Sequence, residues 1–139
     1  MNLARLGIDV VLHCRLGDDE AGRRIRSVRG DRLADPLPFM ERLIAAGRRL
    51  VVCTNGARGV LALTADGRRI EVPVEPVDAV VDTNGAGDAF MAGVVYGEIL
   101  GLSIERSLRV GARVAALCVA SRELASPDLS PAAVADVLG

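Results

Sequence analysis

Apolar positions along this chain repeat with two different spacings, and the switches between them lay out its elements. Leu3 and Leu6 sit at helical spacing ahead of Gly7, which predicts the end of a helix, and residues 8–14 (Ile-Asp-Val-Val-Leu-His-Cys) read as a strand. The acidic run Asp18-Asp19-Glu20 suits a helix start, continued by residues 23–28. Residues 29–38 are polar, include Pro36 and Pro38, show no period and predict a linker. Phe39, Met40, Leu43 and Ile44 then form a stripe at helical spacing that stops at Gly47. Leu50-Val51-Val52-Cys53 is continuously apolar, as a strand covered on both faces of a parallel sheet would be.

Further on, residues 60–64 and 69–72 flank Asp66-Gly67, which predicts a β-hairpin. Pro73 and Pro76 punctuate a connection to an extended apolar run at residues 77–81, predicted as another strand. The next helix points Phe90, Val94 and Leu100 toward the core, offers Gly93 and Gly97 for close packing, and ends at Gly101. Ser103 caps a following helix whose buried stripe is Leu108, Ala112, Ala115 and Val119. Pro127 and Ser130-Pro131 bracket the entry to a last short helix ending at Leu138-Gly139. Extended and helical stretches alternate, so the simplest packing is a layered α/β domain in which helices cover a mostly parallel sheet.

Composition narrows what such a domain can do. A chain of 139 residues, half of them apolar, fits one domain with one buried core. Its 17 basic and 18 acidic residues are interspersed and give a net charge of −1, so no nucleic-acid patch is predicted. One Tyr, two Phe and no Trp leave few platforms for stacking bases. Cys14, Cys53 and Cys118 lie far apart and read as reduced, buried thiols. The single histidine, His13, adjoins Cys14 on a strand, where neighbours face opposite sides, so the two do not make a metal site. No apolar run is long enough to span a membrane and no leader is evident, which makes the cytoplasm the default location.

The chemistry concentrates in residues 82–90, Asp-Thr-Asn-Gly-Ala-Gly-Asp-Ala-Phe, between the apolar run and the long helix. Glycines at 85 and 87 let the backbone approach a ligand, and the first amides of the helix have no intrahelical acceptor, so the turn is a ready anion site. Asp88 stands beside that site, where a negative charge hinders anion binding unless it serves as a general base. A glycine turn whose Asp merely caps a helix is the structural alternative. A dinucleotide fingerprint fits less well, because it needs a third glycine where this chain has Phe90.

Residues 82–90 resemble the C-terminal signature of the ribokinase-like, or PfkB, family of ATP-dependent carbohydrate and nucleoside kinases. Two further stretches are similar in the same order. Residues 3–22 resemble a family segment in which Leu-Ala-Arg-Leu-Gly, a strand and Gly-Asp-Asp-Glu-x-Gly follow one another, and residues 54–59 resemble its Thr-x-Gly-x-x-Gly loop. The resemblance implies a ribokinase-like α/β/α fold with a mostly parallel sheet, incomplete relative to the family. It treats residues 1–139 as a single domain: 1–28 a loose match to the N-terminal part, 29–38 a linker, 39–139 the nucleotide-binding part.

The resemblance also implies roles. Asp88 becomes the base that takes the proton of a substrate hydroxyl, while the amides of Gly85, Ala86 and Gly87 face the transferred phosphoryl group. Thr54, Asn55, Gly56, Ala57, Arg58 and Gly59 contact ATP, together with Gly87. Mg²⁺ accompanies the nucleotide, and Asp82 with the Asn84 backbone helps to bind a monovalent cation such as K⁺. The partner is a small sugar or nucleoside, with no nucleic acid or membrane involved and homo-oligomerisation left open. Relatives also have a first strand that holds the sugar and an Asn-x-x-Glu motif linked to Mg²⁺, neither of which is found here, and Leu124 stands where they usually have Gly. The expected activity is transfer of the γ-phosphoryl of ATP to a sugar or nucleoside hydroxyl; the alternative is a nucleotide-binding remnant that no longer catalyses it.

Overall fold

The computed structural model describes residues 35–138 with the exception of Leu124. The elements predicted within residues 1–28, with His13 and Cys14 and most of the 29–38 linker, lie outside the described residues. Helix α1 (Leu37–Ala45) starts behind Pro36 and carries Pro38 in its first turn, where a missing N–H costs nothing. Strands β1 (Leu50–Thr54), β2 (Val60–Thr64) and β3 (Arg69–Val72) make one sheet in that order.

Both strand pairs are antiparallel among the described residues, whereas the alternation of elements predicts a mostly parallel sheet. Connection length decides the direction. Parallel neighbours need a crossover of about a dozen residues or more. Here β1 reaches β2 through residues 55–59, which contain only the 3₁₀ turn Gly56–Arg58, and β2 reaches β3 around the predicted Asp66-Gly67 turn.

Side-chain alternation gives this sheet two apolar faces. Val51 and Leu63, with the partly buried Cys53 and Leu61, pack against Met40 of α1. On the opposite face, Val60, Ala62, Ile70 and Val72 meet Phe90, Leu108 and Ala112 from helices α2 (Ala86–Ile99) and α3 (Ile104–Val119). The result is helix, sheet and helix pair in three layers. Ser103 caps α3 as its sequence predicts, its hydroxyl accepting the Arg106 N–H at 3.4 Å. A 3₁₀ turn (Ala132–Val134) and the short helix α4 (Ala135–Leu138) close the chain, with Val134 buried against Val110 and Val114 of α3.

Residues 77–81 do not form the predicted strand; the chain bends at Asp78 and makes no ladder there among the described residues. Pro73 and Pro76 remove donors where the chain leaves β3. Glu75, between them, accepts from Arg113 Nε of α3 at 3.1 Å. The segment is thereby drawn to the helix layer instead of the sheet.

The α2–α3 contact is close enough to exclude side chains. A Cβ on Gly93 would lie 2.7 Å from Gly111 Cα, and one on Gly97 would lie 2.8 Å from Ser107 Cα, so the backbones touch where the sequence offered small residues. Leu100, expected in the core, is 49% exposed because it is the C-cap of α2, beyond the turns that meet α3. Met91, Val95 and Ile99 also lie exposed along α2.

Two predictions follow from this packing. Gly93→Ala gains about 1 kcal/mol of helix propensity but drives a methyl into the α3 backbone, an overpacking cost of about 1–3 kcal/mol. The urea midpoint therefore falls, and an unchanged or higher midpoint would show that the helices can part freely. At the β2–β3 turn, the Thr64 hydroxyl donates to the Asp66 carboxylate, and this bond, aided by Arg68, holds the Asp66 carboxyl below the usual carboxylate range. A depressed folded pKa stabilises the hairpin above the unfolded value and loses that effect as pH falls through the folded value. NMR titration of Thr64→Val is expected to return the Asp66 pKa upward toward its ordinary position.

Candidate active site

The turn ahead of α2 is built by glycine geometry and held by the end of α3. Gly85 occupies the N-cap with φ 77°, a left-handed conformation that strains any residue with a Cβ, and no side chain caps the helix. Ala86 N–H reaches back to the Thr83 carbonyl at 3.4 Å, and Ala89 N–H to Gly85 at 2.8 Å. The amides of Gly87 and Asp88, between them, meet no backbone acceptor among the described residues. Space beside Gly87 is open, since a Cβ built there meets nothing within 4 Å. The Asp88 side chain is exposed in the first turn of the same helix. Two unpaired amides, a helix N-terminus and a free-standing carboxylate thus share one surface.

Anchoring comes from residues that the sequence pattern did not single out for this purpose. The Val119 carbonyl, in the last turn of α3, accepts Val81 N–H at 2.8 Å and Asp82 N–H at 3.3 Å. Cys118 Sγ lies 3.6 Å from the Asn84 carbonyl oxygen and donates to it. A thiol read from sequence as a core filler therefore also holds the turn. Buried Phe90 fixes the helix from inside.

Asp82 and Asn84, the residues implied for a monovalent cation, are bound to each other. Asn84 N–H donates to Asp82 Oδ1 at 2.9 Å and Asn84 Nδ2 to Asp82 Oδ2 at 3.3 Å. A hard cation needs a shell of oxygens whose lone pairs face it. Both carboxylate oxygens and the Asn84 carbonyl each accept one donor of the chain, which orients them and leaves each with a further lone pair. Among the described residues no group of three or more His, Cys, Asp or Glu could hold a metal.

Residues 54–59 gather elsewhere. Thr54 ends β1, Asn55 N–H bonds to the Gly59 carbonyl at 2.8 Å, and Gly56, Ala57 and Arg58 form the 3₁₀ turn. Gly59 has φ 81°, and a Cβ there would collide with the Val72 carbonyl, so the hairpin itself demands glycine at this position. The Arg58 guanidinium donates to Asn55 Oδ1 at 3.0 Å. Both residues line a cavity of about 450 Å³ together with Arg69, Glu71 and Pro73, and no residue of the 82–88 turn lines it. Burial pushes the neighbouring Cys53 thiol up, with the Arg58 charge pulling partly back, which keeps it protonated and unreactive. The loop and the turn are related through the core, where Val60 and Phe90 share one cluster.

Comparison with known proteins places this arrangement. The family described as pfkB family carbohydrate kinase matches residues 30–131. The chain is 43% identical over 83 residues to the acarbose 7(IV)-phosphotransferase of an Actinoplanes species, covering 58% of this chain and 28% of that protein. It is 37% identical over 99 residues to 1-phosphofructokinase of Escherichia coli, covering 66% of this chain and 31% of that one. Among solved structures, ribokinase of Arabidopsis thaliana, complexed with ribose and ATP, superposes with a TM-score of 0.67 at 28% identity, over 78% of this chain and 35% of that one. The chain thus spans about a third of the length of these relatives, and its layered fold is ribokinase-like. With a family match across most of its length, it belongs to the pfkB family of carbohydrate kinases.

Proposed function

We propose that this chain carries the phosphoryl-transfer end of an ATP-dependent sugar or nucleoside kinase, with Asp88 as general base. The observation that carries the reading is the pair of unpaired amides at Gly87 and Asp88, opening from a left-handed Gly85 beside an exposed carboxylate. Asp88 accepts the proton of an acceptor hydroxyl as its oxygen bonds to the γ-phosphorus of ATP. The bond from that phosphorus to the β–γ bridging oxygen breaks, and ADP leaves with the electron pair. Charge on the transferred group is met by the free amides of Gly87 and Asp88 and the helix dipole, the Ala86 amide being turned back to the Thr83 carbonyl, since this chemistry needs positioning and electrostatic compensation more than covalent help. Residues Thr54, Asn55, Gly56, Ala57, Arg58 and Gly59 hold the rest of the nucleotide, with Arg58 and Arg69 supplying positive charge at the cavity wall. Mg²⁺, when bound, would be held largely by the phosphates of the nucleotide and would offset their charge.

A second reading, a nucleotide-binding remnant without transferase activity, is favoured by one observation. Exposed apolar side chains at Met91, Val95 and Ile99 follow Asp88 along α2 and leave that face uncovered among the described residues. An acceptor misplaced by even 1 Å loses about 10²-fold in rate.

Two variants separate these readings. Asp88→Asn keeps shape but removes the base, so transfer to a panel of sugars and nucleosides is expected to fall by about 10² to 10⁴, while ATP affinity by calorimetry holds or rises as a charge next to the γ-phosphate disappears. A chain that binds ATP but transfers to no acceptor even before mutation belongs to the remnant reading. Gly87→Val places a side chain in open space, so thermal stability is expected to stay near that of the parent. ATP affinity is expected to drop by tenfold or more, about 1.4 kcal/mol, because the side chain stands in front of the amides. Unchanged affinity in the folded variant would mean the turn is structural only.

A further inference from the structure

We propose that Arg113 is a positioning residue for the turn that carries Asp88, acting through Glu75 on the approach to that turn and through Asp136 in the C-terminal segment. Residues 73–84 make no ladder with the sheet among the described residues, so their path is set by what they bind elsewhere. Hydrogen bonds to α3 set it. Glu75 Oε2 accepts from Arg113 Nε at 3.1 Å, the Val81 and Asp82 N–H groups reach the Val119 carbonyl at 2.8 and 3.3 Å, and Cys118 Sγ donates to the Asn84 carbonyl at 3.6 Å. From Arg113 to Val119 the helix rises about 9 Å. The approach therefore runs along the end of α3, and Arg113 holds the part of it farthest from the turn.

One guanidinium here serves two carboxylates. While Nε holds Glu75, Nη2 donates to Asp136 Oδ2 at 2.9 Å. The side chains of Arg113 and Glu75 are only 28% and 24% exposed, whereas that of Asp136 is 62% exposed, so the Glu75 arm is screened less and carries more of the hold. The Asp136 arm adds a second support for the site. Asp136 lies in α4, whose Val137 and Leu138 pack against the cluster of Val110, Val114 and Val134, and Ala89 packs against the same cluster. Arg106 Nη1 holds the end of that segment through the Leu138 carbonyl at 3.4 Å. Ala89 follows Asp88 directly, so the segment that Arg113 ties down also supports the first turn of α2. Removing the Arg113 charge leaves two carboxylates without their shared cation, and their repulsion pushes the approach and the C-terminal segment apart.

Amide hydrogen exchange of the 139-residue protein, followed by NMR, reads the hold on the turn without nucleotide. It reports the opening of the Val81 and Asp82 N–H bonds to Val119, with the β1–β2 ladder as internal reference. Arg113→Gln is expected to speed exchange at Val81 and Asp82 about fivefold and to leave the ladder unchanged. A rise shared equally by the ladder means that Arg113 only stabilises the fold, and no rise means that the turn holds without it; either overturns the proposal. Glu75→Gln is expected to raise exchange at the same two amides, and the double variant to exchange no faster than Arg113→Gln alone, because the two changes remove one interaction. Additive rises overturn the route through Glu75. Asp136→Asn, on the more exposed arm, is expected to give a smaller rise at Val81 and Asp82, and a response confined to residues 132–138 overturns its share. The functional half rests on the general-base reading of Asp88 and is measured separately. In a parent that transfers phosphate, Arg113→Gln is expected to lower kcat about tenfold with KM for ATP unchanged, since small misplacements of reacting groups are costly. An unchanged kcat overturns that half. A parent that transfers to no acceptor refutes the general-base reading, and the exchange comparison still decides whether Arg113 positions the turn.

Discussion

The backbone-to-backbone contact between α2 and α3 governs where the candidate site can form. Gly93 lies against Gly111, and Gly97 against Ser107, so the two helices run side by side with the start of one beside the end of the other. That arrangement sets Val119 within reach of Val81 and Asp82, and Cys118 within reach of Asn84. The free amides at 87 and 88 are therefore located by a contact made one to three turns away. Widening the helix pair by one methyl would move the clamp relative to the turn before it disturbed any residue of the turn itself.

The contact also accounts for the division of labour among the glycines. Those at 93, 97 and 111 let helices approach, whereas Gly85 supplies a backbone angle and Gly87 leaves space. Gly59, in the loop expected to touch nucleotide, is demanded by the Val72 carbonyl behind it. A glycine in a motif can thus serve the fold and a ligand at once, and only the geometry tells which demand applies.

Local features were legible in the sequence and non-local ones were not. The stop of α1 near Gly47, the Asp66-Gly67 hairpin and the Ser103 cap depend on residues a few positions apart, and each sits where its chemistry predicts. The glycine contact of α2 was readable because small residues at helical spacing have few other uses. The direction of β1 was not legible because a continuous apolar run such as residues 50–53 fits any strand with both faces covered, and the short connections after it force antiparallel pairing among the described residues. Residues 77–81 have strand composition, but pairing depends on neighbours that composition does not name. At the site, the nine-residue signature pointed to the turn, whereas Cys118, which holds it, and Arg113, which holds the connection leading to it through Glu75, were invisible because their partners lie 34 and 38 positions away.

The order of the elements bears on how the described part of the chain assembles. The sheet is a meander in which each strand pairs with the next, and α2 packs on α3 across a connection of a few residues. Nearly all the early contacts are therefore between sequence neighbours, the topology associated with rapid folding. Hairpins close in about 1–10 μs, so the meander and the helix pair can each take shape before they dock through Val60 and Phe90. The turn ahead of α2 belongs to the helix pair, whose Val119 and Cys118 hold it, so its geometry can form before the two units dock.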